Sequence, residues 1–184
     1  FLVDVHWRIT GNALQEVKTQ FYRSGTSFYV TNMLARGWFE RGLYLGVTVP
    51  DLPKELRAYN PNEHIDSKKN FEDIAANLKT IYSQVEEAVK KFRENKNEME
   101  LGYRFGLAAH ALQDFYSHSN YISLYMEYYR SEHKGKELPD PSAIPTLEEA
   151  LSDPKYAVFK RILKEKLQTG EYPGEGEGSH KAMN

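Results

Sequence analysis

Residues 71–92 read FEDIAANLKTIYSQVEEAVKKF, and this run limits the possible folds more than any other stretch. Phe71, Ile74, Ala75, Leu78, Ile81, Tyr82, Val85, Val89 and Phe92 recur every three or four positions, with charged side chains between them. That period gathers the apolar groups on one stripe of an α-helix, and the stripe must be covered by other elements. Residues 98–130 continue in kind, with Leu101, Phe105, Ala108, Ala109 and Leu112 toward a core. Their length suits one long helix or two joined near Ser119 and Asn120. Residues 26–45 read as a further helix, although Gly37 and Gly42 are costly inside one. A short helix is expected to begin near Thr10. Another is expected over 146–168, opening on Thr146 with Glu149 three positions on, the pattern of a capping box.

Between these runs the chain is irregular. Residues 47–64 hold three prolines, 133–145 are polar, and 169–180 are rich in glycine. No segment alternates as a strand does. A length of 184 residues suits one domain with its own core. The expectation is therefore an all-α, single multi-helix domain over 1–184, with room for further chain beyond 184. The chain opens without an initiator Met, as a processed protein or the ordered part of a longer one would. No apolar run is long enough to span a bilayer.

The net charge is -2, from 24 basic and 26 acidic side chains. This balance gives no broad attraction to nucleic acid or to acidic membranes. There is no cysteine, so thiolate metal sites, thiol nucleophiles and disulfides are excluded. A metal site here has to use imidazole and carboxylate.

The stretch HALQDFYSHSN, residues 110–120, places His110, Asp114 and His118 four apart. On a helix they share one face. Asp114 could simply pair with a histidine on a solvated face. The preceding RFGLAAHALQDF is apolar and small, however, and reads as buried. A buried row of ionisable groups needs partners, which a metal ion supplies. Asp51 lies in a proline-bounded loop, His64 sits just before the long helix, and His6 stands near the chain start. Taken singly, each of these reads as a solvated loop residue.

Taken in order, the segments HWRITGNAL, PDLPK, EHIDS and HALQDFYSHSN resemble the zinc-dependent phospholipase C and fungal single-strand nuclease superfamily. The match is nearest to its heterokaryon-incompatibility branch. The resemblance implies an α-helical domain of the phospholipase C type around up to three zinc ions. It implies that His64, His110 and Asp114 hold one zinc. Asp114 would bridge to a second zinc on His6 and, in the family, on the free amino terminus, here Phe1. His118 and a late histidine would hold a third. That late ligand is His180, with His133 and Glu137 as the alternative. Asp51 would be a ligand or the base acting on metal-bound water. The gap from Asp114 to His118 is shorter than the family's.

The resemblance implies a metal-dependent phosphodiester hydrolase, phospholipase C-like, acting on a phospholipid, with a single-strand nuclease as the alternative. It also implies a secreted or periplasmic protein. Tyr116, Tyr121, Tyr125, Tyr128 and Tyr129 would then line an apolar entrance or stack bases, although such spacing more often marks core packing. Two rival readings stand beside it. A di-iron bundle needs Glu-x-x-His on helices. The only such spacing, Glu177 to His180, lies in the glycine-rich segment. A non-catalytic helical interaction protein could instead keep the metal for its fold.

Overall fold

A computed structural model describes residues 3–23, 37–53, 55–133 and 138–171. These residues are mostly helical, with no strand among them, and Ser119 and Thr169 form an isolated antiparallel bridge. The α-helices are α1 (Val3–Arg23), α2 (Trp38–Thr48), α3 (Phe71–Asn95), α4 (Glu98–His118), α5 (Tyr121–Glu132), α6 (Leu147–Ser152) and α7 (Ala157–Lys166). Short 3-10 turns cover Val49–Asp51, Pro141–Ala143 and Pro154–Tyr156. No described helix is long and apolar enough to cross a membrane. The all-α expectation holds.

Tertiary contacts divide the chain into two compact units. The first comprises Phe1–His64 and Leu78–Asp114, and the second Ile65–Asn77 and Phe115–Asn184. In the first, Leu14, Phe39, Leu43, Ala88 and Leu101 form a buried cluster, with Val89 and Phe92 packed against it. Leu14, Phe39, Leu43 and Leu101 come from α1, α2 and α4, while Ala88, Val89 and Phe92 come from the apolar stripe of α3.

The glycines of α2 are explained by a close approach. Gly42 and Gly46 on α2 face Gly102 and Gly106 on α4. A Cβ on Gly42 would overlap the Met99 carbonyl oxygen, and one on Gly46 that of Tyr103. A Cβ on Gly102 would overlap the Phe39 carbonyl oxygen, and one on Gly106 that of Leu43. The two backbones therefore pack directly, as four-residue glycine spacing permits. The helix expected over 26–45 is α2 in its described part. It runs past the expected end, to Thr48, because these glycines serve the contact and do not break the helix. Residues 26–36 of that expectation lie outside the described residues.

Helix α1 is longer than expected and begins before Thr10. Hydrophobic periodicity missed its first turns because their buried side chains, His6 and Thr10, are polar, whereas Trp7 and Ile9 are exposed. Trp7 packs on Tyr44 of α2, and its indole N–H donates to Thr48 Oγ1 at 2.8 Å.

In the second unit, the aromatic row after His118 is a core. Phe159 of α7 meets Tyr121, Tyr125 and Tyr128 at ring separations of 5.6, 5.3 and 5.4 Å. Tyr121 Oη donates to the Pro145 carbonyl at 2.8 Å, and Tyr116 Oη accepts from the Leu147 N–H at 2.8 Å. The run over 98–130 is two helices. They part at Ser119 and Asn120, where Asn120 Nδ2 donates to the Lys166 carbonyl and its Oδ1 accepts from the Gln168 N–H. The helix expected over 146–168 is also split, by Asp153 and Pro154, since proline cannot continue the ladder. Its capping box, Thr146 with Glu149, is present.

Two consequences are measurable. An open helical glycine gains up to about 1 kcal/mol on change to Ala. At Gly46 or Gly102 the same change should cost roughly 2 kcal/mol or more through overpacking, seen as a lower urea midpoint. Burial, reinforced by Tyr116, Tyr156, Tyr125 and Glu149, raises the Tyr121 phenol above its ordinary value. Its contribution is complete below the unfolded-state pKa of about 10 and is lost as pH climbs above it. Stability should therefore fall at alkaline pH, and Tyr121→Phe should flatten that fall in pH-dependent melts.

Candidate metal centre

Five of the residues singled out from the sequence converge within the first unit. His6 comes from α1, Asp51 from the 3-10 turn that follows α2, His64 from the loop before α3, and His110 and Asp114 from one face of α4. His6 and His110 are fully buried, Asp114 and His64 nearly so, and the Asp51 side chain keeps 17% of its surface.

The donor atoms are close. His64 Nδ1 lies 2.6 Å from Asp114 Oδ2 and 3.0 Å from His110 Nε2. His110 Nε2 lies 3.1 Å from Asp114 Oδ2. On the other side of the same carboxylate, His6 Nε2 lies 3.3 Å from Asp114 Oδ1 and 3.5 Å from Asp51 Oδ2. His110 Nε2 is 3.9 Å from Asp51 Oδ1. Two overlapping groups have ligand geometry: His6, Asp51 and His110, and His64, His110 and Asp114.

These distances fit a small cation. Donors about 2.0–2.1 Å from a tetrahedral zinc ion stand about 3.3 Å apart. The observed separations scatter around that figure. The charge also fits, since two carboxylates with three neutral imidazoles carry -2, the complement of a divalent ion. Without a cation the cluster needs protons to be satisfied, because two imidazole nitrogens 3.0 Å apart cannot face each other as bare lone pairs. Asp51 Oδ2 is buried and accepts no hydrogen bond among the described residues. The pocket favours positive charge. Burial opposes the imidazolium of His6, but hydrogen bonds to Asp114 and Gln113 and the charges of Asp114 and Asp51 outweigh it and raise its pKa.

The surroundings aim these rings. His110 Nδ1 donates to the Val47 carbonyl at 2.9 Å. A carbonyl can only accept, so the proton sits on Nδ1 and the Nε2 lone pair points into the cluster. Val47 follows Gly46, and His110 lies one turn beyond Gly106. The glycine contact is thus what brings this carbonyl to this ring. His6 and His110 stack at 4.3 Å, and Tyr59 lies flat on His64 at 4.6 Å. The loop before α3 is braced by Arg57, which donates to both oxygens of Glu63 at 2.6 and 2.7 Å. The residue after His64, Ile65, has a φ of 53°. For a β-branched residue that conformation costs on the order of 1–3 kcal/mol and is held only where the surroundings impose it.

Neither His118 nor His133 is a member of these groups. His118 closes α4 in the second unit, buried, with its carbonyl accepting from the Gly170 N–H at 2.8 Å. His133 ends α5, stacked on Tyr129 at 4.2 Å and bonded to that residue's carbonyl. Phe1, Glu137 and His180 lie outside the described residues, as does the Glu177–His180 spacing. The tyrosines expected at a substrate entrance are packed instead on one another and on Phe159. Several residues of the site were not singled out from the sequence: Val47, Tyr59, the Arg57–Glu63 pair and Gln113. The doubled Gly-x3-Gly spacing was the readable signal for the helix contact. Nothing in the sequence marked the carbonyl.

The family model of the VWA7 N-terminal domain matches residues 46–171, more than half of the chain, and the chain belongs to that family. No curated protein and no solved structure matches it. The matched span contains Asp51, His64, His110 and Asp114. This membership corrects the expected place in the phospholipase C and single-strand nuclease superfamily. The zinc-dependent phosphodiester hydrolase inferred from that place, and its nuclease alternative, fall with it.

The tautomer of His110 is directly observable. In ¹H–¹⁵N spectra it should carry a downfield, slowly exchanging Nδ1 proton held by the Val47 carbonyl. A proton found on Nε2 would contradict the proposed aim of the ring.

Proposed function

We propose that this member of the VWA7 N-terminal domain family is a non-catalytic helical module that takes up a divalent cation, zinc by its donor set, as part of its fold. His6, Asp51, His64, His110 and Asp114 would hold the ion. The single observation that carries this reading is the meeting of three imidazoles and two carboxylates, from four separate segments, at ligand spacing. Imidazole with carboxylate suits zinc. The burial of the cluster supports a structural role, since structural zinc sites are closed whereas catalytic ones keep an open position.

The role of each residue follows from its placement. Asp114 turns its two oxygens to opposite sides, one toward His6 and the other toward His64 and His110. Asp51 extends the His6 side. Binding at this point would tie α1, the turn after α2, the loop before α3 and α4 together. The ligands occur together only in the folded chain, so binding free energy becomes folding free energy.

Elemental analysis of chelator-free protein should find at least about one zinc per chain. Chelation should lower Tm by several degrees, and added zinc should restore it. Asp114→Asn should lose the zinc and the response to chelator together. Protein that carries no metal and melts identically with and without chelator would remove the reading. The non-catalytic part has its own test, because the zinc-loaded protein should leave a chromogenic phosphodiester intact. Turnover abolished by Asp51→Asn with the fold retained would overturn that part.

A further inference from the structure

Next to Asp114 on α4 stands a neutral amide, Gln113, whose two ends are both engaged. Its Oε1 lies 2.6 Å from His6 Nδ1, and its Nε2 donates to Thr10 Oγ1 at 2.9 Å. His6 and Thr10 are four apart on α1, so they share one face of that helix. Both are buried, at 0% and 4% exposure. The amide therefore spans one turn of α1 from the side of α4.

We propose that Gln113 is a positioning residue for the cation site, turning His6 into a ligand by accepting a hydrogen bond from its Nδ1–H. This rests on the cation reading above. The chemistry is a choice between tautomers. A neutral imidazole carries one proton, on Nδ1 or on Nε2. An amide oxygen at Nδ1 keeps the proton there and leaves the Nε2 lone pair facing Asp114 Oδ1 at 3.3 Å and Asp51 Oδ2 at 3.5 Å. The opposite amide orientation would offer Nδ1 a donor and force the proton to Nε2. His6 would then donate to the carboxylates and could not bind a cation. Thr10 Oγ1 accepts from the amide nitrogen at 2.9 Å and so holds the amide in place beside His6. His110 reaches the same end by a different device, the Val47 carbonyl, which cannot turn over. The two histidines that reach Asp51 are thus oriented by a backbone oxygen in one case and a side-chain oxygen in the other. Such outer partners typically change metal affinity by roughly 10–100-fold when removed.

The test measures zinc affinity by competition with a chromophoric chelator, on the full chain and on three variants. ¹H–¹⁵N spectra of the zinc-loaded imidazoles accompany it. Gln113→Leu removes the acceptor at nearly constant volume. It should weaken zinc binding roughly 10–100-fold and expose the His6 Nδ1 proton to fast exchange. Gln113→Glu keeps an acceptor, and the Thr10 hydroxyl can turn to donate to it. It should bind within a few-fold of the unaltered chain and keep the protected proton. Thr10→Val should give a smaller loss, because the amide remains but is no longer anchored. A Gln113 that merely fills space would leave the Leu variant within about twofold, with the His6 proton still protected, and that result overturns the proposal. Should the Leu variant fail to fold, a Thr10→Val protein with unchanged affinity and unchanged His6 exchange overturns it equally. If the unaltered chain takes up no zinc, the cation reading itself fails. If it takes up zinc and the variants match it, only the role of Gln113 fails.

Discussion

The direct backbone contact between α2 and α4 is the constraint on which the first unit depends. Four glycines, two on each helix at four-residue spacing, let carbonyl oxygens of one helix sit where side chains would otherwise stand. This contact does more than close a core. It sets the end of α2 against α4 at a fixed depth, so that the Val47 carbonyl reaches His110 and the following turn delivers Asp51 to the cluster. A helix pair separated by ordinary side chains would stand 8–10 Å apart and could not make that hydrogen bond in the same register. The stability of the helix pair and the geometry of the site are one problem with one solution.

The cluster has a second physical logic, that of charge. Carboxylates and imidazoles buried together are expensive unless they are paired, hydrogen-bonded or bound to an ion. Here the outward nitrogens of His6 and His110 are each given to an oxygen, Gln113 in one case and Val47 in the other. Their inward nitrogens, with one of His64, face two carboxylates. An arrangement that satisfies the outside of each ring and leaves the inside demanding positive charge is what a cation site requires. The strained φ of Ile65 costs local stability next to His64, and the Arg57–Glu63 pair braces the same loop.

The helices of this chain were legible wherever their buried face is apolar. The period over 71–92 became α3, and the joint at Ser119 and Asn120 became the break between α4 and α5. Legibility ended where burial is polar. The opening of α1 was missed because its inner positions are His6 and Thr10. Gly42 of α2 was read as a weakness, since propensity alone penalises glycine and only the partner helix shows its use. The aromatic row after His118 was open to two readings, a substrate entrance or a core, and side-chain periodicity does not separate them. Ring contacts around Phe159 made it a core.

Residue types and their order determined the all-α class, the absence of thiol chemistry and a donor set limited to imidazole and carboxylate. The 3.6-residue period marked His110 and Asp114, whereas His6, Asp51 and His64 were marked only by the resemblance to another family. What residue types and their order could not determine is which histidines meet. His110, Asp114 and His118 share a face in sequence, yet only the first two belong to the cluster described in the first unit. The order shared with a hydrolase superfamily was a likeness of residue types, and the family is another one. Tertiary structure decided the meeting of four segments, the Val47 carbonyl at the His110 ring and the Gln113 amide at the His6 ring. The reason is that these depend on distances between elements far apart in the chain, set by how closely α2 and α4 approach, which local periodicity does not encode.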